Sequence, residues 1–191
     1  MSVYELILKR RTIRRFKPRP IPEELLNKLV NAARLAPSGA NLQPLEFIIV
    51  NNTELVNKVF QTLKWAGYIA PAGNPPEGRR PMAYFIVLIN SEIKPQNGEV
   101  DAAAAIENMI LTALEDGVGS CWLGSIDREQ LRTMFDIPQK YRIDSVLALG
   151  YPDESPVVEE AKDSIKYWKD DQGVLHVPKR KLSDIVHYNQ F

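Results

Sequence analysis

A stretch of 24 residues, from Asp101 to Gly124, constrains the fold of this chain more than any other segment. Up to Leu114 its apolar residues follow the i, i+3, i+4 spacing of a helix, and further apolar residues cover the opposite side. Asp101 is the expected N-cap, and Gly117 is expected to end the helix in a left-handed conformation. Such a helix needs neighbours on all sides, so we expect it at the centre of the fold, with a second copy of the chain supplying what one core cannot.

Residues 118–124, which follow this helix, have the pattern of a short strand that is rich in glycine. Glycines such as Gly119 and Gly124 are typical of backbone that approaches another group closely. That group is either a flat ligand or the chain itself in a tight connection from helix to strand, and the composition does not distinguish these readings.

The overall composition is that of a globular protein without excess charge. Of the 191 residues 45% are hydrophobic and 25% are charged, and 24 basic residues balance 24 acidic ones. A balanced charge argues against a protein that binds nucleic acid through its bulk charge, so any anion site must be local. The length predicts a single domain that spans residues 1–191.

The cysteine and histidine content excludes several kinds of site. Cys121 is the only cysteine, so no disulfide can form within the chain, and with only His176 and His187 a cysteine-based metal site is not expected. We expect Cys121 to be a small buried residue and His187 to lie on the surface of a terminal helix. Neither a signal peptide nor an apolar run of membrane-spanning length is present, which predicts a cytoplasmic protein.

Residues 9–19 contain seven basic side chains and no acid. Such a cluster repels itself unless an anion or carboxylates face it. It is a solvated face, a flexible arm for a polyanion or a phosphate pocket. Ile13 and Phe16 are apolar anchors that argue against an arm, and Thr12 adds a hydroxyl donor to the forked guanidinium groups, a combination suited to phosphate.

Two irregular segments each precede a predicted strand. Residues 37–44 form a polar loop between two prolines before the strand Leu45–Val50, and residues 65–81 contain four prolines before a buried strand at 83–89. Loops of this kind carry ligand contacts more often than strands do, and a loop as long as the second is usually functional or disordered. We interpret residues 65–81 as a lid, while a ligand-binding loop and a plain connection remain open for residues 37–44.

The remaining patterns predict further helices, a further strand and a tail. Helices are expected behind a capping box at Ser2, from Glu23 until a stop at Pro37, from a cap at Thr53, and from a cap at Asp127. Residues 91–100 are expected to form a surface loop, and residues 142–149 a strand. Beyond Pro152 the chain is charged and weakly periodic, which predicts a tail that is either loose or laid across a partner. A terminal helix is expected to contain Leu182, Ile185 and Val186.

Five sequence blocks, taken together, resemble the FMN-dependent nitroreductase family. They are RRTIRRF at residues 10–16, APSGANLQP at 36–44, the stretch at 101–124, ALGYP at 148–152 and KRKLSDIVHYN at 179–189. No single block is decisive, but all five occur in the family's order and cover almost the whole chain.

The resemblance implies an α+β fold with a mixed, mainly antiparallel sheet flanked by helices. It also implies an intertwined homodimer with two FMN sites at the interface, in which the C-terminal segment, from about residue 153 to 191, extends over the partner subunit. The implied cofactor-binding residues of the N-terminal segment are Arg10, Arg11 and Thr12 near the phosphate and ribityl end and Arg14 near the pyrimidine edge. The other subunit is implied to contribute Pro37, Ser38 and Gly39, with Asn41 and Gln43 beyond them. Leu123 and Gly124 are implied to bind near N5 through their backbone N–H groups, and Lys179 and Lys181 to bind the phosphate, with Arg180 between them. A second serine is common where this chain has Gly39.

The activity implied by this resemblance is NAD(P)H-dependent reduction of a small electrophilic acceptor such as a nitroaromatic or a quinone, in a ping-pong cycle. The flavin carries the chemistry in such a protein, so no catalytic side chain is expected. Two alternatives remain: a flavin enzyme of other chemistry, such as a dehalogenase, a flavin-consuming enzyme or an azoline-type oxidase, and a non-catalytic module that binds FMN or a polyanion.

Overall fold

The computed structural model describes residues 1–191 and contains a central four-stranded sheet. Its strands are β1 (Leu45–Val50), β2 (Ala83–Asn90), β3 (Gly119–Leu123) and β4 (Tyr141–Gly150). They are arranged in the order β1-β2-β4-β3, and every neighbouring pair is antiparallel. The continuous apolar run at residues 83–89 thus lies in an inner strand, β2, as predicted. The run does not alternate with polar residues because both faces of the strand are covered.

Helices cover both faces of this sheet. They are α1 (Val3–Lys9), α2 (Glu23–Arg34), α3 (Thr53–Gln61), α4 (Gly98–Glu115) and α5 (Arg128–Met134). Alternate residues of β2 point to opposite faces, so that Phe85 and Val87 pack in a core with α2 and α4, while Tyr84 and Ile86 pack in a second core with α3 and α5. The α+β fold with helices on both sides of the sheet is as predicted.

The central helix α4 is the longest of the chain, at 18 residues, and it begins earlier than predicted. Asn97, with a φ of 58°, is the residue that precedes it, so the expected cap at Asp101 and the expected loop over residues 91–100 were both wrong in part. A Cβ on Gly98 would lie 2.6 Å from the Ile89 side chain, and this close packing lets the helix start against β2. Gly117 ends the helix with a φ of 74°, as predicted.

Two helix boundaries differ from the predicted ones by a few residues. Asn52, and not Thr53, caps α3: its side chain accepts the backbone N–H groups of Glu54 and Leu55, at 3.0 and 3.2 Å. Helix α2 ends at Arg34, before Pro37. The caps at Ser2 and Asp127 are confirmed, the first as a complete capping box.

The segment beyond residue 153 contains a second, smaller sheet. Its strands are β5 (Val157–Glu160), β6 (Trp168–Lys169) and β7 (Leu175–Lys179), in the order β5-β7-β6. The expected terminal helix is wrong, because only one 3-10 turn, Leu182–Asp184, follows β7 and residues 182–191 are all exposed. A helix of about ten residues is unstable without tertiary packing, and this segment has none within the chain.

Several apolar side chains remain exposed near the two ends of the chain. In α1 only Leu6 is buried, while Val3 and Tyr4 are about two-thirds exposed, at 67% and 68%. Tyr188 and Phe191 are also exposed. None of the helices has the length and apolar character needed to cross a lipid bilayer.

Candidate functional site

The arginine-rich segment at residues 10–16 runs along the free edge of β3. Thr12 forms an isolated parallel bridge with Ser120, whose carbonyl accepts the N–H of Ile13 at 2.8 Å. Ile13 and Phe16 are buried, and a Cβ on Gly119 would lie 2.7 Å from Ile13. The two apolar anchors therefore fix the segment against the sheet. Position 119 is occupied by glycine because a side chain there would collide with Ile13 of the same chain.

A pocket of about 360 Å³ opens beside this segment. It lies between the arginine-rich segment, the C-terminal half of α4, the start of β3 and the chain after β4. The predicted site residues Arg10 and Arg11 line it, and so does Glu154.

The guanidinium groups of the arginine segment are incompletely paired. Nε of Arg11 and Nε of Arg14 are buried and have no hydrogen-bond partner. Arg10 lies 3.9 Å from Glu107, at the limit of an ion pair. Burial, followed by the charge of Arg10, lowers the pKa of Arg11. A buried donor without an acceptor is unfavourable, so this arrangement fits an anionic group that the chain itself does not provide.

Arg14 is held from several sides. Its backbone N–H and that of Arg15 donate to the carboxylate of Glu154, and its guanidinium lies 5.0 Å from the centre of the Tyr167 ring. The thiol of Cys121 lies beside it, and burial raises the pKa of that thiol to about 11. Cys121 is 2% exposed and stays neutral, so the prediction of a small buried residue is confirmed.

Thr12 and the end of β3 provide further groups in the region of the site. The hydroxyl of Thr12 makes no hydrogen bond within the chain. Leu123 is the last residue of β3 and is 6% exposed. No atom lies within 4 Å of the place where a Cβ on Gly124 would be, so Gly124 borders open space and, unlike Gly119, is not required by packing within the chain.

The loop at residues 37–44 forms a separate polar group at the N-terminal end of α4. Pro37, Ser38 and Gln43 line a small pocket of about 170 Å³ together with Asp101. Ser38 Oγ donates to Asp101 at 3.0 Å and accepts the N–H of Gln43 at 3.0 Å, and the N–H of Gly39 donates to Asp101 at 3.2 Å. The side chain of Gln43 in turn donates to the carbonyl of Asn41 at 3.2 Å.

The C-terminal basic cluster forms a third group. Lys179 is the exposed last residue of β7, Lys181 lies 3.3 Å from Glu160, and Arg180 donates to the carbonyl of Asp184. No hydrogen bond or ion pair joins this cluster, or the loop at residues 37–44, to the arginines of the N-terminal segment. The predicted site residues therefore form three groups within one chain.

Four residues at these groups were not found from the sequence. Glu154 holds the backbone of the arginine segment, Tyr167 packs against Arg14, and Asp101 and Lys94 hold the loop at residues 37–44. Asp101 was expected to cap a helix, so its role in holding the loop at residues 37–44 was not predicted. Glu154 and Tyr167 lie far from their partner Arg14 along the chain, and Lys94 lies seven residues before Asp101, but the residue types alone carried no signal.

The chain combines an antiparallel sheet, helices on both faces of that sheet and an arginine-lined pocket at one sheet edge. Together these features define a class of protein. Residues 7–151 match the Nitroreductase family. The chain belongs to this family, as the sequence blocks predicted.

Named relatives agree with this assignment. A protein of Methanothermobacter thermautotrophicus with the provisional name NADH dehydrogenase/NAD(P)H nitroreductase is 34% identical over 169 residues, which cover 85% of this chain and 84% of the relative. The iodotyrosine deiodinase of Thermotoga neapolitana is 29% identical over 166 residues, covering 80% and 89%. The structure of an FMN-dependent nitroreductase from Clostridium difficile matches with a TM-score of 0.68 at 27% identity, covering 97% of this chain and 98% of that one.

Proposed function

We propose that this chain is an FMN-dependent oxidoreductase that takes electrons from NADH or NADPH and reduces a small electrophilic acceptor. The observation that carries the proposal is the buried, unpaired Nε–H donor of Arg11 at a pocket of about 360 Å³, with a second such donor on Arg14 in the same segment. The names of the relatives, an NAD(P)H nitroreductase and an FMN-dependent nitroreductase, support the same reading.

The residues of the N-terminal segment fit the anionic end of FMN. A phosphate ester carries nearly two negative charges and three acceptor oxygens at neutral pH. Arg10, Arg11 and the free hydroxyl of Thr12 supply donors to it, and the forked guanidinium groups match its geometry. Arg14, held by Glu154 and Tyr167, places positive charge toward the flavin ring.

The chain contributes binding and electrostatics, and the cofactor contributes the chemistry. FMN, when bound, would supply the two-electron chemistry between NADH or NADPH and the acceptor in a ping-pong cycle. Arg14 favours negative charge at the pyrimidine edge, because a fixed cation there interacts more strongly with the more anionic form. Gly124 leaves open space in which its backbone N–H and that of Leu123 approach a flat ring.

A homodimer completes the site. The arginines, the loop at residues 37–44 and the basic cluster Lys179, Arg180 and Lys181 do not meet within one chain, and the exposed apolar face of α1 and the exposed C-terminal residues offer surface for a second copy. We propose that residues 1–191 form one domain, whose segment from about 153 to 191 extends over the partner. Pro37, Ser38, Gly39, Asn41 and Gln43 of one chain then cover the flavin of the other.

A nitroaromatic or a quinone is the proposed acceptor, in line with the name of the archaeal relative. Reductive dehalogenation of an aromatic compound is the second candidate, because the bacterial relative that is 29% identical over most of the chain is an iodotyrosine deiodinase. Both reactions need the same electron source, so they differ only in the acceptor that binds over the ring.

Purification of the protein with its bound cofactor tests the proposal. We expect a yellow protein that releases FMN on denaturation and that NADH or NADPH bleaches in the absence of oxygen. Addition of a nitroaromatic, a quinone or an iodophenol to the bleached protein should restore the colour, and the fastest of them identifies the acceptor class. A colourless protein that takes up no added FMN would contradict the proposal. Binding of nucleic acid with a steep salt dependence would instead support a polyanion-binding module.

A further inference from the structure

The loop at residues 37–44 has an unfavourable backbone that its surroundings hold in place. Three of its non-glycine residues, Ala40, Asn41 and Gln43, have positive φ angles of 52°, 54° and 51°. Residues other than glycine rarely adopt positive φ angles, and several such residues in one loop persist only where neighbouring groups fix the backbone. The loop therefore depends on contacts outside itself.

Those contacts converge on Asp101, in the first turn of α4. Its carboxylate accepts hydrogen bonds from the hydroxyl of Ser38 and from the backbone of Gly39, at 3.0 and 3.2 Å. Ser38 in turn accepts the N–H of Gln43, so that one hydroxyl links the two ends of the strained segment to the helix. Asp101 is only 4% exposed, which makes these bonds costly to break.

The remaining partner of Asp101 is the ammonium group of Lys94, at 2.7 Å. The side chains of the pair are 13% and 5% exposed, so the charge of the carboxylate is balanced almost out of contact with water. A Cβ on Gly39 would lie 2.8 Å from Nζ of Lys94 and 3.8 Å from a carboxylate oxygen of Asp101. Lys94 thus occupies the space into which a side chain at position 39 would project.

We propose that the buried Lys94–Asp101 pair is the positioning element of the loop at residues 37–44, and that Lys94 and a hydroxyl side chain at position 39 are alternative partners for the same carboxylate. The functional part of this inference rests on the proposed function, in which this loop covers the flavin of the partner subunit. Lys94 and Asp101 do not touch the cofactor in this account, and they act through Ser38, Gly39 and Gln43.

The pair also predicts the response of the loop to acid. Burial disfavours the ionised form of Asp101, but the hydrogen bonds from Lys94, Gly39 and Ser38 outweigh burial and lower the pKa of the carboxyl. A lowered pKa in the folded state means that the carboxylate stabilises the loop at neutral pH and that this stabilisation is lost as the pH falls through the lowered value. The loop should therefore loosen in acid.

A double-variant cycle tests the proposal. Lys94→Ala leaves a buried carboxylate without its counter-charge, and we expect FMN affinity to fall about tenfold, with faster amide exchange at Gly39 and Gln43. Gly39→Ser alone pushes a flexible ammonium aside and should change amide exchange at Gln43 less than about threefold. In the combined variant the new hydroxyl lies one bond beyond a Cβ that would be 3.8 Å from Asp101, so it can replace Lys94 as the partner of the carboxylate. This variant should recover most of the lost affinity.

Lys58→Ala is the matched control, because Lys58 forms an equally short ion pair of 2.6 Å with Glu54, but on the exposed surface of α3. It should leave both FMN affinity and loop exchange unchanged. Amide exchange is measured on the apoprotein and needs no cofactor. The exchange rates of the loop therefore test the positioning role separately from the proposed function.

Failure of Gly39→Ser to rescue Lys94→Ala, in both exchange and affinity, would overturn the alternative-partner proposal. Faster loop exchange in Lys94→Ala with unchanged FMN affinity would show that the pair holds a loop that does not cover the flavin, and would overturn its functional part. A wild-type protein that binds no FMN would overturn the proposed function, and the exchange rates alone would then decide whether the pair positions the loop.

Discussion

The arginine segment at residues 10–16 and the loop at residues 37–44 are both polar, but they satisfy their hydrogen-bonding groups differently. Arg11 and Arg14 keep buried Nε–H donors without acceptors, whereas the Ser38 hydroxyl, the Gly39 N–H and the Asp101 carboxylate are all paired with one another or with Lys94. Since native chains rarely leave buried donors unpaired, an unpaired set points to a ligand and a paired set points to a scaffold. The difference supports binding as the proposed role of the first region and positioning as the proposed role of the second.

Removal of an unpaired donor should affect binding alone. Arg11→Ala is expected to weaken FMN binding about ten- to a hundredfold, the range for one lost charge-assisted hydrogen bond of about 1.5–3 kcal/mol. The free energy of unfolding of the apoprotein should change by less than about 0.5 kcal/mol, because Arg11 forms no ion pair with a carboxylate of the chain. FMN titration and urea unfolding of the apoprotein measure the two quantities.

Lys17→Ala is the control for this variant, since Lys17 belongs to the same basic cluster but is exposed. It should alter FMN affinity little. A large loss of unfolding free energy in Arg11→Ala, with FMN affinity preserved, would reverse the roles of the two regions.

Removal of a paired group should lower stability and affinity together. Ser38→Ala deletes the donor to Asp101 and leaves the N–H of Gln43 without its acceptor, so the free energy of unfolding should fall by about 1 kcal/mol. FMN affinity should fall in parallel, because the loop loses its fixed shape. Urea unfolding and FMN titration of this variant check the result, and an effect on affinity without any effect on stability would show that Ser38 does not act through the shape of the loop.

The C-terminal sheet provides a third, fully paired polar cluster whose charge depends on pH. His176 on β7 lies 2.9 Å from Glu159 and 3.4 Å from Asp170, and its ring stacks on Trp168. The hydrogen bond to Glu159 raises the pKa of His176 against the opposing effect of burial, and the bond to Asp170 adds to the rise. The stabilisation is therefore complete below the unfolded pKa of His, about 6.5, and is lost as the pH rises through the raised value.

Amide exchange of β7 should accordingly become faster in alkali than the intrinsic pH dependence of exchange explains. His176→Gln should remove this additional dependence, while exchange in β2 serves as the internal reference. A pH response of β7 that persists in His176→Gln would show that another group controls the sheet.

The smallest effect is expected at Cys121, which is buried next to Arg14 and is not among the proposed binding residues. Cys121→Ala should lower the free energy of unfolding by at most about 1 kcal/mol and leave the rate of NADH oxidation unchanged. The thiol stays protonated, so it is not available as a redox group. A marked loss of turnover in this variant, measured with FMN saturating, would contradict this view.

Much of the fold was predictable because its patterns are local. The inner strand at residues 83–89, the strand Leu45–Val50 and the stop at Gly117 follow from apolar periodicity and glycine geometry. The start of α4 and the terminal segment were not predictable, since Gly98 is fixed by contact with Ile89 and residues 182–191 lack the packing that a helix needs. Local patterns do not report such tertiary contacts.

The candidate site divides in the same way. Its arginines stood out because seven basic residues in eleven are unusual in a neutral chain. Glu154 and Tyr167 act through contacts that are distant along the sequence, and Lys94 pairs with a carboxylate seven residues away that no sequence pattern marked as its partner. Asp101 illustrates the limit best, because one carboxylate near a helix start is equally compatible with a cap and with a buried ion pair. Only its three-dimensional partners distinguish the two roles.

The most direct test of the account is the ratio of the affinities of the apoprotein for FMN and for riboflavin, which differ only in the phosphate. The wild type should bind FMN at least about a hundredfold more tightly, and Arg11→Ala or the double variant Arg10→Ala/Thr12→Ala should reduce this ratio by at least about tenfold while leaving riboflavin affinity nearly unchanged. Equal affinity of the wild type for the two flavins, or a ratio that these variants do not change, would contradict the claim that Arg10, Arg11 and Thr12 bind the phosphate.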